Sequence, residues 1–78
     1  MKLKKHNKYE LEWIDIQHDD SWIDFEKVDD TPLVCNYMGY FVKETKECYV
    51  FASGYSADKQ YYTIDLFPKG VVRKIKKI

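Results

Sequence analysis

The sequence has little cysteine, glycine or proline, and it has no long apolar run. Two Cys, three Gly and two Pro occur among 78 residues, and no stretch approaches the roughly 18 apolar residues that a membrane-spanning helix needs. Scarce Gly and Pro argue against a disordered chain. The basic start lacks the apolar segment of a signal peptide. We therefore expect a folded, cytoplasmic protein without membrane contact.

Groups that carry catalysis or hold metals are also few. Cys35 and Cys48 lack a C-x-x-C spacing, and we expect both to be reduced and buried. His18 lies among acidic residues, which we interpret as a solvated loop rather than a cation site. The sequence has no Gly-rich phosphate loop and no H-E-x-x-H motif. We predict that the protein is not an enzyme and uses no metal or cofactor.

Aromatic residues are abundant by contrast. They make up 17% of the chain, and hydrophobic residues as a whole make up 45%. Because an aromatic side chain buries roughly 150–250 Å², such residues can build a core in a chain this short. We predict a single domain over residues 9–78 that is helped by self-association.

Charges are sorted along the chain although the net charge is zero. Residues 1–8 contain four Lys and no acid, and we expect a mobile basic tail there. Residues 9–30 contain nine acids against Lys27 alone. Either the acidic and basic segments are neighbours in the fold, or the acidic segment binds a basic partner. The candidate partner-binding residues are Asp19, Asp20, Trp22, Asp24 and Glu26.

Alternation of apolar residues predicts strands separated by short turns. The predicted strands are 9–16, 33–44, 48–53, 61–67 and 71–78, the last favoured over a short helix because its apolar residues are β-branched. Gly39 marks a bend inside the long second strand. The predicted fold is all-β, a small and strongly bent five-stranded barrel with an acidic loop or short helical turn after the first strand.

Two local predictions accompany this fold. In the acidic loop, Ser21 caps a helical turn whose Trp22, Phe25 and Val28 share one side, and Trp22 holds the loop against the domain. In the hairpin that follows Gly39, a turn centred on residues 45–46 places Phe41 opposite Val50.

The arrangement of Gly39, a hairpin and "IDLFPKGVVRKI" resembles the Sm-like proteins, which are bent barrels of the Src-homology-3 type. Gly39 matches their mid-strand Gly, and Val72 and Ile75 match their closing strand. Lys69 falls where the bacterial RNA chaperones of that family carry a Lys, whereas Gly70 replaces their His. The resemblance covers about the last forty residues. It implies a ring that joins strand four to strand five of the next subunit and binds single-stranded RNA.

A second resemblance spans nearly the whole chain. The succession "EWIDI…W…PLVCNYMGYFVKETKECYVFAS…IDLFPKGVVRKIKKI" is similar to small proteins of tailed phages and prophages. This implies an accessory protein of the host cytoplasm that binds a host protein or a small anionic, nucleotide-like signalling molecule. A phage structural or assembly component is the further alternative.

Aromatic and basic residues near the loop 54–60 form the candidate ligand site. Aromatic faces can stack on bases while cations hold phosphate. The candidates are Tyr55, Lys59, Tyr61, Tyr62, Lys69, Arg73 and Lys74. The alternative interpretation is that the tyrosines pack the domain with their hydroxyls at its rim.

Overall fold

One antiparallel sheet of five strands forms the fold in the computed structural model, which describes residues 2–18 and 20–78. The strands are β1 (Lys8–Asp15), β2 (Leu33–Glu44), β3 (Cys48–Tyr55), β4 (Tyr61–Pro68) and β5 (Val72–Lys77). The described residues contain only two short 3-10 turns besides, Phe25–Lys27 and Lys69–Val71. None of their helices is long and apolar enough to cross a membrane. The all-β, five-strand prediction is confirmed.

The strand order leaves the sheet open. It runs β4-β3-β2-β1-β5, so β4 and β5 are the two edges and do not pair with each other. A closed barrel is therefore not formed by strand pairing. Both edges keep one side free for hydrogen bonding to another chain.

The closing segment is a strand, as its β-branched residues predict. Ile75 lies opposite Leu11 of β1, and Val72 lies opposite Trp13. Two lysines of β5 face acids of β1, in the pairs Lys74–Glu12 and Lys76–Glu10. Acidic and basic segments are thus neighbours along β1 and β5. This agrees with the first interpretation of the sorted charges, in which segments of opposite charge lie side by side in the fold.

The core is a cluster of aromatic rings with one leucine. This cluster consists of Tyr9, Leu11, Phe41, Phe51 and Phe67, of which Leu11 and Phe51 are fully buried, and Val50 and Ala52 of β3 are buried as well. Phe51 lies at the centre, with its ring centroid 5.6 Å from that of Phe41 and 6.2 Å from that of Phe67. These contacts are edge-to-face, the arrangement that aromatic pairs favour.

Gly39 allows strands β2 and β3 to approach closely. A Cβ atom at this position would lie 2.9 Å from the carbonyl oxygen of Ala52 and 2.6 Å from the hydroxyl of Tyr37. Tyr37 therefore folds over the glycine on the inner side of β2. Since the carbonyl belongs to the backbone, no side-chain rotation could relieve that contact.

The β2–β3 hairpin has a different register from the predicted one. Phe41 lies opposite Phe51 rather than Val50, and the pairing shifts between Phe41 and Lys43. The shift is a bulge at Val42, which adds one residue to β2. It brings the two phenylalanines into the core together.

Residues 16–32, which we call the acidic arm, extend from the sheet between β1 and β2. Trp22 was expected to hold this loop against the domain, and that prediction is wrong: Trp22 and Phe25 are fully exposed and Val28 is 63% exposed. Asp24 rather than Ser21 occupies the N-cap position of the 3-10 turn, its side chain makes no capping hydrogen bond, and the turn buries no residue. The radius of gyration is 15.9 Å, against roughly 11.5 Å for a compact domain of this length.

Residues ahead of β1 contact the sheet. The backbone N–H of Lys4 donates to the Tyr9 hydroxyl at 2.8 Å. His6 donates to the carbonyl of Phe41, and Phe41 donates back to that of Asn7. Leu3 packs against the core. The mobility of residues 1–8 stays a prediction, and Met1 lies outside the described residues.

The cysteines are free thiols, but both are half-buried rather than buried. Cys35 lies opposite Trp13, and Cys48 lies opposite Pro68 at the other end of the sheet. Their separate strand positions place them beside different neighbours.

Candidate functional site

A cleft of about 450 Å³ opens beside the loop that joins β3 to β4. It is lined by Lys5, His6, Tyr55, Ser56, Lys59, Gln60 and Tyr61. Three aromatic rings, two lysines and several polar groups thus meet at one place. We call it the basic cleft.

His6 is fixed at the wall of the basic cleft by the two tyrosines. Its ring stacks on that of Tyr55, with centroids 4.2 Å apart and planes 18° from parallel. Its Nε2 atom shares a hydrogen bond of 2.8 Å with the Tyr61 hydroxyl. Tyr55 and Tyr61 are themselves opposite each other in β3 and β4. The sheet therefore positions the tyrosines, and they position His6.

A tight turn places Lys59 at the mouth of the basic cleft. The N–H of Ser56 donates to the carbonyl of Gln60, and the N–H of Lys59 donates back to that of Ser56. Lys59 has a φ of 67°, a left-handed conformation that is uncommon for residues other than glycine. Asp58 also belongs to this turn, and its carboxylate accepts a hydrogen bond from the Ser56 hydroxyl.

Three of the seven predicted ligand residues meet in the basic cleft, and four do not. Tyr55, Lys59 and Tyr61 line it. Tyr62 follows Tyr61 in β4, so its side chain lies on the opposite side of the sheet, where it is 74% exposed. Tyr62 is therefore not placed to stack on a ligand in the basic cleft.

The predicted basic residues of the chain end lie elsewhere. Lys69, Arg73 and Lys74 line a separate groove of about 240 Å³ together with Tyr49. Lys69 is already engaged there, since its Nζ lies 2.5 Å from Glu44 and 5.3 Å from the centroid of the Tyr49 ring. The seven candidates therefore belong to more than one surface.

Sequence reasoning missed Lys5, His6, Ser56 and Gln60. Lys5 and His6 were assigned to a mobile tail, because nothing local shows that the chain turns back beside β2. One signal was present for the loop residues. Ser56, Asp58 and Gln60 are typical of a hydrogen-bonded turn, which would have brought their side chains to one point.

The acidic candidates are exposed and lie along the acidic arm. Asp20, Trp22, Asp24 and Glu26 are all exposed, and Lys27 forms a 3.5 Å ion pair with Asp24. Asp19 lies outside the described residues. Within residues 2–18 and 20–78, no group of three His, Cys, Asp or Glu side chains is placed to hold a metal ion.

The basic cleft is suited to a ligand that combines a planar ring with negative charge. An aromatic ring can stack on the exposed side of the wall, and Lys5 and Lys59 can donate to phosphate or carboxylate oxygens. Comparisons with protein-family models, with curated proteins and with solved structures found no match. The resemblances to Sm-like and phage proteins therefore stay predictions from the sequence.

Proposed function

We propose that the protein is a non-catalytic binding module that holds a small anionic, nucleotide-like molecule in the basic cleft. The observation that carries this proposal is the stack of His6 on Tyr55 in a cleft that Lys5 and Lys59 also line. The aromatic wall supplies a surface for a base, and the two lysines supply the charge for phosphate. A phage-encoded protein of this kind would sequester a host signalling nucleotide in the cytoplasm.

A titration with a graded set of ligands tests the proposal. Adenosine offers only the ring, inorganic phosphate offers only the charge, and AMP and ADP offer both. We expect calorimetry to show that AMP and ADP bind at least tenfold more tightly than adenosine or phosphate. Equal affinity for ADP and phosphate would contradict a role for the aromatic wall.

Matched variants locate the binding site. A hydrogen bond to a charged group contributes about 1.5–3 kcal/mol, so Lys59→Gln should weaken ADP binding about tenfold or more. Tyr55→Ser should remove the stacking surface with a similar loss. Lys46→Gln is the control, because Lys46 lies in the exposed β2–β3 turn and not at the cleft.

We also propose that the sheet curls into a strongly bent barrel of the Src-homology-3 or Sm-like type. The close approach of β2 and β3 at Gly39 supports this proposal. In that fold the two edge strands curve toward each other, with the turn Lys69–Val71 between them. Amide hydrogen exchange in the isolated protein tests this. Slow exchange of the backbone N–H groups on the outer side of β4 or β5 would show an additional contact between the edges, as a barrel requires.

An RNA-binding ring is the second candidate function, and the strand order favours it. Because β4 and β5 are both edges, β4 of one copy can pair with β5 of the next. Lys69, Arg73 and Lys74 would then lie near that junction. A ring would be seen as a solution mass several times that of the chain, with binding of an oligouridine that weakens steeply with salt. Monomers that do not bind the oligonucleotide would exclude it.

A protein partner for the acidic arm is the third candidate. Fully exposed Trp22 and Phe25 beside several carboxylates combine apolar contact area with negative charge. A basic partner surface with apolar recesses would complement both. In a pull-down from host extract, Trp22→Ser should remove a captured basic protein that Lys46→Gln retains, and a band unaffected by Trp22→Ser would contradict this role.

A further inference from the structure

A second cleft, which we call the acidic cleft, lies between β1, β2 and β4 and has a different character from the basic cleft. Its volume is about 280 Å³. It is lined mainly by apolar groups, among them Trp13, Tyr37 and Phe67. The ring centroid of Phe67 lies 4.8 Å from that of Tyr37 and 5.6 Å from that of Trp13, with the planes oblique. Asp65 is the only charged residue of its lining.

Asp65 lies on the inner side of β4, and no cation of the described residues forms an ion pair with it. It precedes Phe67 by two residues, so both side chains lie on one side of the strand, and it lies opposite Phe51 of the core. The side chain is half-buried. The ion pairs found within residues 2–18 and 20–78 are Lys27–Asp24 and Lys69–Glu44, so neither involves Asp65. A carboxylate beside aromatic rings is costly to desolvate unless a cation or donors compensate it.

Tyr37 also lines the acidic cleft, but its hydroxyl is buried. The hydroxyl makes no hydrogen bond within strict geometric limits, although the Asp65 and Ser53 side chains lie close enough to act on it as hydrogen-bond partners. Burial, followed by the hydrogen bonding and the charge of Asp65, raises the pKa of Tyr37 to about 12. Asp65 therefore has a neutral hydroxyl beside it but, among the described residues, no cation.

We propose that the acidic cleft binds an organic cation, an ammonium or guanidinium group carried on an apolar body. The charged head would pair with the Asp65 carboxylate, while the body contacts the rings of Trp13, Tyr37 and Phe67. Aromatic rings beside a carboxylate are a recurrent setting for such cations. The group is either a free amine or a Lys or Arg side chain of another protein. This site is separate from the basic cleft and takes a ligand of the opposite charge.

An inward-facing charge on an edge strand has another known use, which is to prevent pairing with other chains. In that case Asp65 would need no ligand. The two roles differ in what they predict for small cations. Protection of the edge predicts no saturable binding, and binding in the acidic cleft predicts saturation that depends on both charge and apolar body.

Fluorescence of Trp13 provides the test. In a Trp22→Phe background, which changes only a fully exposed side chain, Trp13 is the only indole. We expect saturable changes with n-butylammonium and ethylguanidinium, and at least tenfold weaker effects with n-butanol, which has the same apolar body without the charge. Equal effects of the alcohol and the amine, or no saturation with either cation, would overturn the proposal.

Variants and peptide ligands complete the experiment. Asp65→Asn should weaken n-butylammonium binding at least tenfold, while the exposed Asp30→Asn leaves it unchanged. Unaltered binding in Asp65→Asn would overturn the assignment. If that variant fails to fold, the comparison of amine with alcohol still decides the matter. N-acetyl-lysine and N-acetyl-arginine amides that bind more tightly than the simple cations would identify a protein side chain as the source, and tighter binding of the free amine would identify a small molecule.

Discussion

At the scale of single residues, Gly39 has the most exacting position in the sheet. An alanine there would place its Cβ 2.9 Å from the Ala52 carbonyl oxygen, so strands β2 and β3 would have to separate. We expect Gly39→Ala to lower the free energy of unfolding by about 1–3 kcal/mol, the usual cost of overpacking. Chemical denaturation of the variant measures this.

Gly70 provides the matched control for that substitution. No atom lies within 4 Å of a Cβ built on it, and its φ is not positive. Gly70→Ala should therefore leave stability unchanged or raise it slightly, because alanine restricts the unfolded chain. Equal losses for both glycine variants would mean that the close approach of β3 is not the cause.

Tyr9 is buried and Tyr37 is half-buried with a buried hydroxyl, and the two hydroxyls differ in their hydrogen bonding. The Tyr37 hydroxyl has no partner in hydrogen-bonding geometry, whereas that of Tyr9 accepts from the Lys4 N–H. We expect Tyr37→Phe to raise the free energy of unfolding by about 1 kcal/mol and Tyr9→Phe to lower it by about as much. Denaturation at pH 7 compares the two, and a loss of stability in Tyr37→Phe would reveal a hydrogen bond.

The Tyr37 hydroxyl also makes the free energy of unfolding depend on pH. Folded Tyr37 keeps its proton up to a pKa of about 12, against 10.0 for an ordinary tyrosine. The unfolded chain loses that proton first, so the free energy of unfolding falls as pH rises from about 10 to about 12. Tyr37→Phe should show a smaller fall over this interval. An identical decline in both proteins would contradict the raised pKa.

At the scale of elements, the strands were predictable and the acidic arm was not. Apolar residues alternate in residues 9–16 and 61–67 because one side of each strand packs on a core. This pattern can be recognised from neighbouring residues alone. The hairpin bulge at Val42 brings Phe41 opposite Phe51. This pairing register depends on packing across the sheet, which no local pattern specifies.

The error in the acidic arm has a physical reason. Trp22, Phe25 and Val28 have helical spacing, but spacing alone does not provide a surface to pack on. In the structure this segment lies beyond the end of β1, where no other element faces it. The basic cleft was predicted in part. Tyr55, Lys59 and Tyr61 were found because they are close in sequence, whereas His6 was missed because only the fold brings it beside them.

The exposure of the acidic arm leads to a prediction about stability. Trp22 and Phe25 are fully exposed. The free energy of unfolding of the variant Trp22→Ser/Phe25→Ser should therefore differ from that of the original protein by no more than about 0.5 kcal/mol. Phe51→Ala, a substitution at the centre of the core, should cost about 3–5 kcal/mol. Denaturation of both measures the difference. A large loss in the double variant would show that the arm packs on the domain.

At the scale of the whole molecule, zero net charge conceals separate charged surfaces. Lysines of β5 are balanced by acids of β1, and Lys69 is paired with Glu44. Lys5 and Lys59 line the basic cleft without forming an ion pair among those found in the described residues. The surface best suited to an anion is therefore not the segment with the highest count of basic residues.

The assignment of the basic cleft as an anion-binding site is tested most directly by calorimetric titration with ADP of the protein and its Lys59→Gln variant. We expect saturable binding to the original protein and about tenfold weaker binding, or more, to the variant. Absence of saturable binding at millimolar ADP, or equal affinity in the two proteins, would contradict the assignment of the basic cleft as an anion-binding site.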